Sequence, residues 1–204
     1  MVGSSILPIA YYKNQLYFLF GKENPMEDSH RGYSDFGGGI EDGENIIETA
    51  IREGSEETTG FLGDKFQLKK MIKKNGGTYQ INHNEQYFVN IFCIEYHEYL
   101  PHYYNQNHHF LWKKMDKELL NKTKLFEKIE INWFTPEQMK IHKNKFRKFY
   151  REIVDKILLE LPKIKKFIIS KNKLLTTKIN KKNTRKNKSY HNKTKKYTKK
   201  YTKK

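Results

Sequence analysis

The chain has 204 residues, 36% of them hydrophobic, and a formal net charge of +17. This length allows one domain with a sizeable core and is too short for two. The charge is uneven, because residues 1–160 contain 22 basic and 23 acidic side chains, a net charge of −1, whereas residues 161–204 contain eighteen basic side chains and no acid. We therefore predict a domain over residues 1–162 and a disordered basic tail over residues 163–204.

Cysteine content and hydropathy exclude two classes of protein. Cys93 is the only cysteine, so no intrachain disulfide can form, and its apolar neighbours predict a buried thiol. No apolar run reaches the roughly 20 residues that span a bilayer, and the N-terminus lacks the basic start of a secretory signal. We expect a soluble intracellular protein without a membrane partner, cytoplasmic or, given the basic tail, nuclear. The sequence leaves the oligomeric state open.

The first half of the chain predicts strands around a glycine loop. Residues 5–11 and 15–20 are aromatic and β-branched and predict a hairpin, and YSDFGGG at 33–39 predicts a short strand entering the loop. The pattern over 45–58 predicts a helix with one apolar face, which starts at Asn45 with Glu48 as capping-box partner. Further strands are predicted at 66–73 and 86–96, with a turn at 75–77 between them.

The second half adds helices. Residues 97–110 are predicted to be a polar, histidine-rich loop and residues 111–123 a helix, whereas KIEINWF at 128–134 predicts a strand. Thr135 and Pro136, followed by Gln138, predict a helix start. Apolar residues at three- and four-residue spacing predict a further helix over 143–161 that ends at Pro162. This mixture indicates the α+β class, arranged as a three-layer αβα sandwich.

The helix predicted over 45–58 carries three carboxylates on one arc. At about 100° per residue, Glu56 lies roughly 60° to one side of Glu53 and Glu57 roughly 40° to the other. Like charges at this spacing destabilise a helix, and a divalent cation such as Mg²⁺ would relieve the repulsion because it prefers oxygen ligands. The glycines at 37–39 let the backbone approach a ligand closely. Loop and helix together predict a metal-binding site.

Arg52 lies one position from the acidic arc, and we expect it to pair with either Glu48 or Glu44 and to hold the cluster in place. The order Gly38, five residues, Glu44, seven residues, Arg52-Glu53, two residues, Glu56-Glu57 resembles the Nudix box. That box is the signature of hydrolases acting on nucleoside diphosphates linked to another moiety. The segments YSDFGGGIEDGE and EINWFTPEQM extend the resemblance over about residues 4–161, and it implies a Nudix-like αβα sandwich with a mixed sheet.

The resemblance also implies site roles. Mg²⁺ or Mn²⁺ would be bound by Glu53, Glu56, Glu57 and the Gly38 carbonyl oxygen. Glu53 would serve either as a further ligand or as the base that accepts a proton from the attacking water, while Glu44 and Arg52 would pair to orient the other side chains. The site would then hydrolyse a phosphoanhydride by metal-assisted attack of water.

Two positions depart from the family pattern. Gly54 stands where the family has an aliphatic residue, which predicts a less tightly packed helix at that point. Gly60 comes one residue later than the family's glycine and is expected to end the helix in the left-handed conformation. This shift falls after every proposed ligand.

The substrate is left open among a capped RNA end, ADP-ribose or another nucleotide sugar, a nucleoside triphosphate and a diphosphoinositol phosphate. The basic tail fits RNA as substrate or tether, and it equally fits a nuclear address or A/T-rich coding. A protein that binds nucleotide or RNA without hydrolysis is the alternative outside the enzyme class.

Several aromatic and acidic side chains are candidates for contact with the substrate. Base stacking is proposed for Tyr33, Phe36, Tyr87 or Phe88, with core packing as the alternative for each. Glu127 lies just before the strand predicted at 128–134 and Glu130 lies within it, and either is a candidate base. The histidines at 83, 97, 102, 108 and 109 lack the spacing of zinc ligands and are predicted to be surface or loop residues.

Overall fold

The computed structural model describes residues 2–24, 31–123 and 126–171. Its strands are β1 (Gly3–Tyr12), β2 (Gln15–Glu23), β3 (Tyr33–Ser34), β4 (Phe36–Gly39), β5 (Tyr79–His83), β6 (Tyr87–Cys93) and β7 (Lys128–Phe134). Its helices are α1 (Ile46–Glu57), α2 (Lys65–Lys74), α3 (Leu100–Lys114), α4 (Lys117–Thr123), α5 (Pro136–Ile141) and α6 (Tyr150–Leu159), with a short 3-10 helix at Lys143–Lys145. Residues 161–171 are also helical.

The seven strands form one mixed sheet. Its main path runs β3-β2-β1-β6-β5, while β4 pairs with β1 and β7 pairs with β2. The β1 and β6 strands are parallel, and the other pairs are antiparallel. Because β4 pairs with the first residues of β1, with Gly38 opposite Ser4, the glycine loop lies at the edge where β1 begins.

Helices cover both faces of the sheet, which confirms the predicted three-layer αβα sandwich. The face bearing Ile6 and Ala10 of β1 packs against α1, α2 and α3. The face bearing Leu7 and Ile9 packs against α5, α6 and the helical segment 161–171. The Cys93 thiol is buried, as predicted, and burial raises its pKa to about 11. Within the described residues, no helix combines the length and apolar character needed to cross a membrane.

Several predicted local structures are confirmed. The hairpin turn between β1 and β2 has positive φ at both central residues, 45° at Lys13 and 65° at Asn14, as a two-residue type I′ turn requires. The side chain of Asn45 accepts hydrogen bonds from the first turn of α1, and Glu48 completes the capping box. Thr135 caps α5 in the same way.

The strand predicted at 66–73 was wrong, because these residues belong to α2. The helix is started by a capping box between Asp64 and Gln67, and its apolar side consists of Leu68 and Ile72, one turn apart. The apolar residues therefore follow a helical period. The strand that pairs with β6 is β5, at Tyr79–His83, after the predicted turn.

The loop predicted at 97–110 was also wrong. Most of it forms α3, which has Pro101 in its first turn and buries Tyr104 and His108 at a spacing of four residues. The helix predicted at 111–123 is divided between the end of α3 and the separate helix α4.

The helix predicted at 143–161 is interrupted. A parallel bridge joins Phe146 to Tyr33 in β3, and α6 begins only at Tyr150. Pro162 does not end the helical region, because residues 161–171 are helical and bury Ile164 and Ile168 completely. The domain boundary at 162 stays a prediction, and this packing favours a boundary after Ile168. The tail from 172 onward lies outside the described residues.

Gly54 is the point of closest contact between α1 and the sheet, so the loose packing predicted there was wrong. A Cβ atom at this position would lie 2.2 Å from Cδ1 of Ile6 on β1, and Ile6 is completely buried. The Ile6 side chain therefore fills the space that a larger residue on the helix would occupy. Gly60 has the predicted left-handed conformation, with φ of 73°, and Thr59 before it already has φ of 48°.

We expect Gly54→Ala to lower the free energy of unfolding. The substitution gains about 1 kcal/mol of helix propensity but forces overpacking against Ile6, which costs about 1–3 kcal/mol. The measurement is urea denaturation of the wild type, Gly54→Ala, Ile6→Ala and the double variant. Because Ile6→Ala removes both clashing atoms, Cδ1 at 2.2 Å and Cγ1 at 2.4 Å, the double variant should be more stable than the sum of the singles by about 1 kcal/mol. Strict additivity would contradict this packing.

Candidate active site

The guanidinium group of Arg52 is the centre of the acidic cluster. Its Nε and Nη2 atoms donate to the two carboxylate oxygens of Glu44 at 2.7 and 3.0 Å, a bidentate pair. Nη2 also donates to the Gly39 carbonyl oxygen at 3.1 Å. Of the two partners predicted for Arg52, the structure selects Glu44, and Glu48 is used in the helix cap. The Arg52 hydrogen bonds lower the pKa of Glu44 to about 2.

The same guanidinium links two further carboxylates of the Nudix box. Its Nη1 atom lies 2.9 Å from Glu53 Oε1 and 3.3 Å from Glu56 Oε2. The Glu56 side chain is 62% exposed and the Glu53 side chain 15%. Arg52 thus draws Glu44, Glu53 and Glu56 to one point between the glycine loop and the helix.

Glu53 lies directly against the glycine loop. A Cβ atom at Gly38 would be 2.3 Å from Glu53 Oε1, so the absence of a side chain at Gly38 makes room for this carboxylate. Burial raises the pKa of Glu53 above its ordinary value, and Arg52 opposes that shift. The structure therefore brings Gly38 and Glu53 together, as the sequence predicted.

Glu57 faces inward and differs from the other two carboxylates of the arc. Its residue is only 6% exposed. One carboxylate oxygen accepts a hydrogen bond from the Gly37 amide at 2.8 Å, and the other lies 3.2 Å from Lys128 Nζ. Burial raises the pKa of Glu57 well above its ordinary value, with Lys128 acting in the opposite direction.

Lys128 on β7 is a buried cation that the sequence analysis missed. Its side chain is 1% exposed, and its ammonium group contacts Glu57, Glu23 and, at 3.0 Å, the Ser34 hydroxyl. Arg147 adds a second cation to Glu23 at 2.6 Å. Burial alone would lower the pKa of Lys128, but Glu57 and Glu23 outweigh this effect and raise it. The alternation of side chains along the strand did not reveal it. Lys128 and the polar Glu130 are two positions apart and so point to the same side of the strand, which gave no sign that Lys128 is buried.

The oxygen donors at this site suit a hard divalent cation. Glu53 and Glu56 share one nitrogen of Arg52, and the Gly38 cradle keeps backbone close to Glu53. In the arrangement described, no three His, Cys, Asp or Glu side chains of residues 2–24, 31–123 and 126–171 form a metal-binding group. In this arrangement Arg52 contacts Glu53 and Glu56, and Lys128 contacts Glu57. The oxygen donors and the glycine cradle fit a hard divalent cation.

The proposed substrate-contacting residues are distributed over the fold. Phe36 is completely buried and Tyr33 is 6% exposed, so core packing accounts for both rings and neither presents a face to a base. Glu130 accepts a hydrogen bond from the Tyr33 hydroxyl and pairs with Lys22 at 3.4 Å. Tyr87 is half-buried and donates to Asp35 at 2.8 Å.

Tyr87 nevertheless lies close to the glycine loop. A Cβ atom at Gly3 would be 3.0 Å from both the Tyr87 ring and the Gly38 carbonyl oxygen. Phe149 is 41% exposed, and its ring centroid lies 6.1 Å from that of Tyr87. The guanidinium of Arg147 lies 4.9 Å from the Phe149 ring centroid. These residues form a partly exposed aromatic and cationic patch near Gly38.

His108 is not the surface or loop residue that the sequence predicted. It is 2% exposed, stacks on Tyr104 with a centroid distance of 3.7 Å, and has its pKa lowered to about 4 by burial. Tyr104 in turn donates to the backbone carbonyl oxygens of Glu57 and Lys128 at 3.1 and 3.0 Å. This part of α3 supports the ends of α1 and β7.

A glycine loop leads directly into an acidic helix beside a mixed sheet, which is the arrangement that the resemblance to the Nudix box implies. The chain belongs to the Nudix family, because the family model for the NUDIX domain matches residues 11–157, and it is a Nudix hydrolase. Nudix hydrolases generally use divalent metal ions.

Three solved structures are similar to this chain. A C. elegans Ap4A hydrolase binary complex has 12% identity and a TM-score of 0.43, covering 82% of this chain and 98% of that chain. Another structure of the C. elegans Ap4A hydrolase has 13% identity and a TM-score of 0.40, with 82% and 99% coverage. A mutT/nudix family protein from Listeria innocua has 14% identity and a TM-score of 0.41, with 82% and 96% coverage. No curated protein sequence matches the chain.

We expect Lys128→Met to destabilise the fold by about 3–5 kcal/mol, because it leaves buried carboxylates without their shared cation. The matched control is Lys22→Met, which removes the more exposed ion pair with Glu130 and should cost less than about 1 kcal/mol. Urea denaturation of both variants measures the difference. Equal midpoints for Lys128→Met and the wild type would contradict the buried network.

Proposed function

We propose that this Nudix hydrolase uses Mg²⁺ or Mn²⁺ to cleave a phosphoanhydride bond in a nucleoside diphosphate linked to another moiety, with capped RNA as its substrate. The observation that carries the hydrolytic part is the convergence of Glu44, Glu53 and Glu56 on the Arg52 guanidinium beside Gly38. A surface that only bound nucleotide would have no need to bring acidic groups to the place where phosphate must lie.

The metal would be held by Glu53, Glu56, Glu57 and the Gly38 carbonyl oxygen. Each carboxylate oxygen of Glu57 has one contact, to Lys128 or to Gly37, so each retains a lone pair for a metal ion. When bound, a divalent ion neutralises diphosphate charge and lowers the pKa of a coordinated water. Arg52 would hold the ligands in a fixed position relative to the glycine loop through its bidentate bond to Glu44.

Glu53 is the proposed general base. Its carboxylate lies against Gly38 and is mostly buried, and burial raises its pKa toward the range in which a base is effective. Glu130 is less suited, because its carboxylate already accepts a hydrogen bond from the Tyr33 hydroxyl and pairs with Lys22. Glu127 precedes β7, and its charge contributes to the raised pKa of Glu57.

The aromatic patch supports a nucleotide substrate. Tyr87 lies near the Gly38 carbonyl oxygen, and Phe149, whose ring centroid is 6.1 Å from that of Tyr87, is exposed enough for a base to stack on its ring. Arg147 adds a cation that suits a phosphate group or a base face. RNA is preferred over a small nucleotide because of the eighteen basic side chains after residue 160. A cytoplasmic or nuclear location would give access to capped RNA.

Neither departure from the family pattern argues for a silent binding protein. Gly54 is matched by Ile6 on β1, so α1 lies close to the sheet without distortion. Gly60 and Thr59 end the helix after the last proposed ligand. The acidic helix is thus retained intact.

We expect Glu53→Gln and Glu56→Gln each to reduce turnover at least about 100-fold, because each removes an acidic oxygen from the metal and base positions. The assay incubates the protein with Mg²⁺ or Mn²⁺ and a panel of capped RNA, ADP-ribose, a nucleoside triphosphate and a diphosphoinositol phosphate, and measures released products chromatographically. Glu48→Gln is the control, because glutamine also completes a capping box and activity should be unchanged.

The panel separates the alternatives. Turnover of capped RNA above the other compounds supports the proposed substrate. Cleavage of ADP-ribose or the triphosphate alone would overturn the RNA assignment and leave the hydrolase intact. If the wild type and Glu53→Gln both bind RNA and neither releases a product, the catalytic proposal is overturned.

A further inference from the structure

We propose that α2 and the helical segment 161–171 form a basic surface that binds the phosphate backbone of single-stranded RNA. The proposal deepens the assignment of capped RNA and rests on it. It concerns folded residues, namely α2, which packs on the Nudix helix, and the segment 161–171, where the basic tail begins.

The α2 helix presents an unusual density of unpaired cations. Its ten residues include five exposed lysines and no acid: Lys65, Lys69, Lys70, Lys73 and Lys74. Within the described residues none of the five forms an ion pair. By contrast, α6 intersperses Arg151 and Lys156 with Glu152 and Asp155. A lysine-rich composition adds cations throughout the chain, but among the described helices α2 alone combines five exposed lysines with no acid; α3, which also lacks acids, has only two lysines.

The second element continues the same surface. Residues 161–171 contain no acid and carry Lys163, Lys165, Lys166 and Lys171. Among the residues that the structure describes, only Lys163 of these four has an ion pair, to Glu160 at 3.8 Å. The two elements touch, because the Lys171 side chain lies over Gly76, just after α2. A Cβ atom at Gly76 would be 2.5 Å from Lys171 Cδ. The chain then continues past residue 171 with fourteen more basic residues and no acid.

The spacing of the lysines suits a polyanion with regular charges. Lys65, Lys69 and Lys73 follow one another at four-residue intervals, so their side chains form a stripe with steps of about 6 Å. This step is comparable to the distance between successive phosphates of a single strand. Phe66, which is 74% exposed, lies beside this stripe with the Lys65 ammonium 5.6 Å from its ring centroid. Lysines with an exposed aromatic ring suit backbone contact combined with base stacking.

An anionic membrane is the competing polyanion, and the structure favours it less. A helix that lies in a membrane interface needs a free apolar face. The apolar residues of α2, Leu68 and Ile72, are buried in the core shared with α1. RNA phosphate requires only the exposed cations.

The test uses the full chain in EDTA, so that RNA is bound without turnover. Fluorescence anisotropy measures the affinity for one labelled, capped single-stranded RNA over a salt series. We expect the triple variant Lys65→Gln, Lys69→Gln, Lys73→Gln to lose at least tenfold in affinity at low salt. The slope of log K against log salt should fall by about 2, at about 0.7 per lost phosphate contact.

The control is Lys113→Gln, Lys114→Gln, Lys117→Gln, which removes the same charge from exposed lysines of α3 and α4. It should retain affinity and slope near the wild-type values, and thermal melting should show both variants folded. Equal losses in the two variants, or none in either, would overturn the proposed surface. The proposed surface would also be overturned if the α2 variant lost binding to phosphatidylserine vesicles but kept its affinity for RNA.

Hydrolysis of a short capped dinucleotide in Mg²⁺ distinguishes this proposal from the proposed function. The α2 variant should cleave it at the wild-type rate, because Lys65, Lys69 and Lys73 are exposed and, within the described residues, none of them pairs with a carboxylate of the Nudix box. If the wild type cleaves no capped compound, the proposed function is wrong, even if the protein binds RNA tightly.

Discussion

The Arg52 guanidinium is the interaction on which the site depends. It makes a bidentate bond to Glu44, bridges Glu53 and Glu56 through one nitrogen, and reaches the Gly39 carbonyl. Glu53 and Glu56 on the helix and Glu44 just before it would otherwise repel one another. A single cation that cannot be deprotonated keeps them together and ties them to the glycine loop. The position of the loop follows in turn from the pairing of β4 with β1.

A second cation links the site to the core. Lys128 lies on β7 and contacts Glu57 of α1 and Glu23 of β2, so three elements meet at one buried charge network. Tyr104 of α3 bonds the carbonyl oxygens of the same two residues, Glu57 and Lys128. Buried ion networks are sensitive to the loss of one member. The geometry of the acidic helix is therefore set by the core as much as by its own sequence.

The sequence predicted features that local chemistry determines. Asn45 with Glu48, and Thr135 with Gln138, form the predicted capping boxes because each needs only residues three apart. The pairing of Arg52 with Glu44 was one of two options, and only the loop geometry selects it. Lys128 could not be found, since its partners are 105 and 71 positions away in the chain. The helices α2 and α3 were missed because four-residue apolar spacing was read as strand or loop.

Anomalous diffraction from crystals soaked in Mn²⁺ tests the central claim most directly. If Arg52 prepares the acidic helix for a metal, data collected at the manganese edge should show a peak between the Glu53 and Glu56 carboxylates and the Gly38 carbonyl. The bidentate bond from Arg52 to Glu44 should persist in that state. A peak elsewhere, or none while Arg52 still bridges all three carboxylates, would contradict the account.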